Sequence, residues 1–470
     1  MLYPRNKLLV LVISLFLVTA SATTVLAKEI TFKEAVKQGL KNNLELVKSR
    51  SNLHQLQREL KIIKAGSDWQ VDADTEINNS GDNFLANGES EDELDELELT
   101  LTGSKTYWSG LVLETDLDYQ QADLLEKAAQ DSLEFDFSAV QDIYPQVPTA
   151  AEQDYIQQKL EIEKAETRLA EEQNNKVINW TADYLELLRL QKSYQLAQKN
   201  HQVAEQELAE AVAQQEIGEA GKIELLRAQA ELKEREYNLK TAENDYQQAR
   251  QALADELGLS DGDKLVLANK TNYLTELKEI AASFPIDLTN KTALINLAVD
   301  NSVELTAKKL DIRSAEHKLE WKKLEDKPEI DLKGSYDSAA EEWQAGVVVT
   351  YNLFDSGRQE LEVENLREEA ATFKREEEQL IKDIKLEVAD LSSRIPAKQA
   401  DLEGAEFSLA KAELEKAVAK KQLEQGLIDQ LEFRAEALAL QEAKINLQAA
   451  EDELLITKLE LIEYVSQISL

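Results

Sequence analysis

The sequence predicts a mainly α fold with β, in which long antiparallel helices form a helical barrel and shorter strands form a sheet, the whole arranged as two tandem repeats. Three observations carry this: an internal repeat, two helical stretches of unusual length, and strand segments that alternate strictly between apolar and polar residues. Six prolines and 15 glycines in 470 residues leave few interruptions to long helices.

At the N-terminus, Arg5 and Lys7 precede the apolar run Leu8 to Val18, and small residues follow from Ala20 to Ala27. This is the pattern of a secretory signal peptide, too short to span a bilayer. Cleavage is expected after Ala27, with Ala22 as the alternative, so residues 1–27 are set apart from the fold. The chain has no cysteine, which excludes disulfides, thiolate metal sites and a lipid-bearing N-terminal Cys. No later stretch is apolar for the roughly 20 residues of a membrane helix, so any membrane insertion has to come from strands. A net charge of −38 disfavours nucleic acid and anionic surfaces as partners.

The first repeat opens on Ile30-Thr31-Phe32-Lys33-Glu34-Ala35 and Asn42-Asn43-Leu44-Glu45-Leu46. These recur as Leu288-Thr289 through Ala293 and as Asn301-Ser302-Val303-Glu304-Leu305. From Glu45 the halves align without gaps, bringing Leu60 onto Leu319 and Trp69 to Asp72 onto Pro328 to Asp331. The first repeat is assigned to 28–270, an inter-repeat linker to 271–287 and the second repeat to 288–470. Each repeat continues in the order helix, strands, very long helix, turn, helix.

The strands fall within 69–144 and 329–353. In Trp69 to Asn78, residues Trp69, Val71, Ala73 and Ile77 alternate with Gln70, Asp72, Asp74, Glu76 and Asn78. The pattern returns at Leu97 to Thr102, Leu111 to Tyr119 and Leu133 to Ala139, then at Ile330 to Lys333 and from Trp343 to Leu353. Such alternation makes a sheet with two unlike faces. In a soluble sandwich the apolar face would pack on another sheet, whereas in a barrel crossing an outer membrane it meets lipid and the polar face lines water. Asp72, Asp74, Glu76 and Asp331 are therefore candidate lumen residues, and Trp69, Trp108, Tyr119, Trp343 and Tyr351 stand where aromatic girdles would fall.

The two long helices run from about Ala150 to Ile217 and from Gly357 to Gln425, each reaching about 100 Å at ~1.5 Å per residue. Leu185, Leu188, Tyr194, Leu196, Val203, Leu208 and Val212 recur at threes and fours, as helix-on-helix packing requires. Pro396 inside the second is expected to break or kink it. Turns near Gly218 and Gly426 end both.

These residues resemble the TolC family of outer-membrane efflux proteins. The resemblance rests on the repeated Leu/Ile-Thr, Glu-Ala and Asn-Asn-Leu-Glu-Leu phrases and on Tyr351-Asn352-Leu353-Phe354-Asp355-Ser356-Gly357, which looks like the family's strand-to-helix junction, with Tyr144-Pro145 in the equivalent place. The turns Ile217 to Gly221 and Gln425 to Asp429 are similar to its glycine-marked tips. It implies a homotrimer sharing one transmembrane β-barrel, placed in the cell outer membrane and extending into the periplasm. There it would be the exit duct of a tripartite efflux or type I secretion system, with a periplasmic adaptor (membrane fusion protein) and an inner-membrane pump as partners. It further implies that the adaptor docks at the tips Gly218, Gly221, Gly426 and Leu427. Glu224, Asp429 and Glu432 are then candidates for an acidic entrance, the two glutamates lying at equal distances beyond Gly218 and Gly426. The family pattern has two strands in the first repeat where this chain has four alternating segments, which leaves Leu97 to Tyr119 as an extra pair.

Physics independently asks for an oligomer, because a few strands leave open edges that cannot face lipid. No enzyme is expected. His54, His201 and His317 fall on polar helical surroundings without metal-ligand spacing, no glycine-rich phosphate loop is present, and no cofactor or metal is implied. The competing reading is a soluble periplasmic coiled-coil adaptor or rod, which the outward-apolar strands argue against.

Overall fold

The structure, a computed structural model, describes residues 28–78, 96–122, 130–218, 221–259, 263–267 and 272–466. The expected signal peptide lies outside them. The chain begins with β1 (Lys28–Ile30), α1 (Phe32–Asn42) and α2 (Leu44–Gly66), then four strands: β2 (Gln70–Asn78), β3 (Glu96–Thr106), β4 (Leu111–Ala122) and β5 (Gln130–Tyr144). It continues with α3 (Ala150–Glu216), α4 (Lys222–Glu256), β6 (Asp263–Leu265) and α5 (Asn272–Ser283). The second repeat comprises α6 (Lys291–Asn301), α7 (Val303–Leu324), β7 (Glu329–Asp337), β8 (Glu342–Thr350), α8 (Arg358–Glu424) and α9 (Gln430–Ser466).

Local chemistry sets the boundaries. Thr31 and Glu34 form a reciprocal capping box at the start of α1, and Asn43 and Ser302 cap α2 and α7 at equivalent positions of the two repeats. Asp355 caps α8, accepting from the amides of Gly357 at 2.8 Å and Gln359 at 2.7 Å. Those bonds hold its carboxyl below the usual carboxylate range. The stretch read as an inter-repeat linker contains α5, and β6 closes a short parallel pair with β1 that the sequence pattern did not signal.

Pro396 does not end α8, which runs through it for 67 residues. Proline withdraws its own bond to the carbonyl four residues back and its ring crowds that carbonyl, while Ile384, Val388, Leu391 and Ile395 hold this stretch of the helix in the core against α6 and α9. That burial outweighs the local loss.

The helices pack as a slab. Below mid-height α4 lies on α3, α3 on α9 and α9 on α8; above it α2 lies on α3 and α7 on α8. The two larger buried cores sit at mid-height, where the short helices close over the long ones, and a small third cluster of Ala412, Leu440 and Ala443 joins α8 to α9. The first gathers Phe32, Leu46, Trp180, Tyr184, Leu257 and Leu277, with Phe32 stacked on Tyr184 at 4.1 Å. Gly39 is required there, since a Cβ at this position would stand 2.9 Å from the Trp180 ring. Ion pairs lace α7 to α8, namely Lys308–Glu376, Lys374–Glu316 and Lys322–Glu362, at 2.6 to 2.8 Å.

Candidate channel lining and helical tips

All six strands that follow α2 and α7 join one antiparallel sheet in the order β2-β3-β4-β5-β7-β8. The extra pair is thus placed: β3 and β4 lie between β2 and β5 and separate two strands that would otherwise pair as β7 pairs with β8. Strands run longer than the alternation indicated, up to 15 residues in β5.

Register sorts the side chains. Val71, Gly103, Thr115, Phe137, Tyr336 and Trp343 fall in one cross-strand row, and Ala73, Leu101, Leu117 and Phe135 in another on the same face. Much of this face is open, with Val71 at 71% and Trp343 at 76% exposure. Apolar surface of this extent, on strands of 9 to 15 residues, matches the hydrocarbon face of a membrane barrel.

The opposite face carries Asp72, Thr102, Asp116, Asp136, Asp337 and Glu342 in one row. The next row holds Asp74, Thr100, Asp118 and Glu134, and beyond it lie Glu76 and Glu98. Neighbouring strands are only about 4.8 Å apart, so five carboxylates in a row repel one another unless water and cations screen them. This face belongs against water. Asp72, Asp74 and Glu76 are exposed on it as expected. Asp331 differs: it is on the polar face but buried, directly opposite Asp142 in the β5–β7 ladder. Asp337 and Glu342 occupy the row instead, and sequence reading missed them because they flank the β7–β8 turn, outside the alternating core of either strand.

At the foot of the sheet the β3–β4 turn packs on the helices, with Trp108 meeting Tyr155 edge to face at 4.4 Å. Trp108 therefore belongs to this joint and not to an aromatic girdle. Leu353 and Phe354, at the β8–α8 junction, are 88% and 84% exposed.

At the far end, Gly218 and Gly426 take left-handed backbone conformations, φ 79° and 73°, which favour glycine. The second is a Schellman turn, with Gly426 N bonding Leu423 O at 3.0 Å and Leu427 N bonding Gln422 O at 2.9 Å. Gly221 has ordinary extended geometry as the N-cap of α4, and Leu427 is exposed. Glu224 turns back to accept from Gly221 N at 2.6 Å, and Glu432 from Asp429 N at 3.3 Å. Asp429 itself accepts from the amides of Leu431 and Glu432 at 2.8 Å. The equal spacing of the two glutamates thus serves helix capping: each accepts from the backbone amide three residues before it, and at Asp429 the bond is reciprocated to make a capping box. All three acids remain exposed at the tip surface.

Of the histidines, His54 and His201 lie beside Gln57 and Glu205, as polar surroundings predict. His317 departs from that expectation, its ring packing on Trp321 at 5.5 Å with Nδ1 buried. Among the described residues no helix is long and apolar enough to cross a membrane.

The whole is a two-faced sheet mounted on two helices of 67 residues. Residues 294–466 match the outer membrane efflux protein family. The fold is similar to that of CusC (TM-score 0.63, 14% identity, 92% of this chain and 91% of that one). It is also similar to the Campylobacter jejuni CmeC outer membrane channel (0.63, 12%, 93% and 85%) and to the Vibrio cholerae outer membrane protein VceC (0.59, 15%, 92% and 95%). No curated protein matches the sequence. The family match thus lies within the second repeat, and the likeness of fold extends over the described chain.

Proposed function

We propose that three copies of this chain close into one outer-membrane channel that passes substrates from an inner-membrane pump and its periplasmic adaptor to the outside. The observation that carries this is the sheet itself, apolar and exposed on one face and acidic on the other. Its outer strands support closure. β2 and β8 are nine residues each, exposed from Gln70 to Ile77 and along the whole of β8, and run in opposite directions because the sheet has an even number of strands. A head-to-tail ring therefore pairs β8 of one copy antiparallel to β2 of the next. Six strands from each of three copies make eighteen, in the range where a barrel encloses an aqueous passage. The edge helices agree, with Ile223 and Tyr237 on α4 and Leu386, Phe407 and Leu414 on α8 exposed and without partners in the single chain.

In this reading residues 1–27 are an export signal, 28–270 and 288–470 are the two repeats, and 271–287 joins them. The tips carry the adaptor. Gly426→Val should impair pump assembly while the trimer still inserts, and unchanged adaptor cross-linking would count against docking there. Glu224 and Glu432 are proposed as entrance acids. Because a glutamine oxygen can accept the same backbone bond, Gln at both positions should preserve the tips yet weaken block by multivalent cations from the periplasmic side. Unchanged block would locate the constriction elsewhere.

The deciding experiment is planar-bilayer recording under a salt gradient. A cation-selective pore is expected from the carboxylate rows; an anion-selective pore, or a monomer recovered in the soluble periplasmic fraction, would overturn the proposal.

A further inference from the structure

The foot of the sheet holds a second group of acids that the channel reading does not use. Asp142 on β5 and Glu329 and Asp331 on β7 bring one carboxylate oxygen each within 4.8 Å of one another. Asp142 on β5 belongs to the first repeat and Glu329 and Asp331 on β7 to the second, and Asp142 and Asp331 are direct partners across the ladder, the last pair before it shifts register between Asp142 and Tyr144. Glu329 is two residues from Asp331 on the same face.

Three features separate this group from the exposed acids elsewhere. Asp331 is only 8% exposed, and its Oδ1 is buried without a hydrogen-bond partner. Among the described residues, none of the ion pairs brings a lysine or arginine to any of the three carboxylates. The β3–β4 turn also closes tightly over Asp142: Gly110 sits at φ 81°, where a Cβ would lie 3.1 Å from Asp142 Oδ2, and Gln141 ties the turn down by donating to Ser109 O at 2.7 Å. A buried carboxylate oxygen lacking both a donor and a counter-charge is strongly disfavoured.

We propose that Asp142, Glu329 and Asp331 bind a Ca2+ ion that clamps β5 to β7. The donor set is all oxygen and formally carries three negative charges, which suits a hard divalent cation. Ca2+ takes ligands at about 2.3–2.6 Å, so donors on opposite sides of one ion are at most about 5 Å apart, in keeping with the observed spread. Carboxylates that bind through one or both oxygens suit the loose geometry of Ca2+ better than the strict octahedron of Mg2+. The ion would join the first repeat's last strand to the second repeat's first, where both strands meet the long helices. This proposal does not depend on transport, since conductance and metal binding are read separately.

The test is calorimetric titration of the detergent-purified full chain, stripped with a chelator, using CaCl2 in enough monovalent salt to suppress diffuse binding to the acidic surface. Wild type and Asp116→Asn, a control in the open carboxylate row, should each bind one Ca2+ per chain at this site. Asp331→Asn and Glu329→Gln should lose at least tenfold in affinity. Glu329 is exposed, so its variant guards against misfolding, and Ca2+ should raise the oligomer's heat-dissociation temperature in wild type but not in Glu329→Gln. No saturable site in wild type, as expected if Asp142 and Asp331 merely share a proton, would overturn the proposal. So would equal binding by the variants, and Mg2+ binding as tight as Ca2+ would overturn the choice of ion.

Discussion

The two repeats agree where the helices are concerned and disagree in the sheet. α3 and α8 both have 67 residues, α2 and α7 have 23 and 22, and β2 and β7 have nine each. Equivalent residues are 259 apart before the strands, as Gln70 and Glu329 show, but 208 apart after them, as Ala150 and Arg358 show. The difference, 51 residues, is the length that the first repeat adds in and around β3 and β4. Helix length is constrained because helices side by side in a tube must start and stop together. Strand number is freer. Adding a whole hairpin leaves the two outer strands running in opposite directions, so ring closure survives, whereas a single added strand would make the edges parallel.

The sharpest way to break this equivalence lies in the cores. Counted from their helix starts, Trp180 on α3 and Val388 on α8 occupy the same position, and both are fully buried. Trp180→Ala should cost about 3–5 kcal/mol and Val388→Ala about 2, read as the fall in the temperature at which oligomers dissociate on a gel. Equal losses would mean that the two cores share load in a way their packing does not show.

A somewhat smaller effect separates Glu463 from its equivalent on α4, Asp255, which is exposed. Burial pushes the Glu463 carboxyl up to about 7, with the nearby Glu171 adding to the rise. The folded form therefore keeps a proton that the unfolded chain has lost, so stability should fall as pH rises from about 4.5 to about 7 and stay low above it. The cost at pH 8 is up to about 3 kcal/mol. Glu463→Gln should flatten this slope and stabilise the protein at pH 8. Parallel profiles for wild type and Glu463→Gln would contradict this.

The smallest effects belong to the tips, where the repeats match most closely. Gly218→Ala and Gly426→Ala should each cost about 1 kcal/mol from the left-handed backbone alone, because nothing within 4 Å would meet the added methyl. A loss at one tip only would show that an unequal contact has formed there.

Most of this architecture was legible because it rests on periodicity and on local signals. The helix limits near 150, 217, 357 and 425 follow from Thr149, Gly218, Gly357 and Gly426, and the strand faces from alternation. What alternation cannot give is which strand lies beside which, so the place of β3 and β4 emerged only from the ladder. Asp331 reads as one more luminal acid in the sequence. It lies opposite Asp142, 189 residues earlier, over which the glycine turn packs. Glu224 and Glu432 show the converse: their matched spacing was visible, but one spacing serves both a capping box and an entrance ring.

Closure between copies is the claim on which the channel rests, and a chain without cysteine allows it to be tested cleanly. Thr75→Cys on β2 can be combined in turn with Trp343→Cys, Ala345→Cys or Val347→Cys on β8, all on the apolar face, and oxidised in membranes. The account predicts that at least one pairing gives a non-reducing ladder of monomer, dimer and trimer that stops at three. A ladder that continues beyond three, or monomer alone at every pairing, would contradict it.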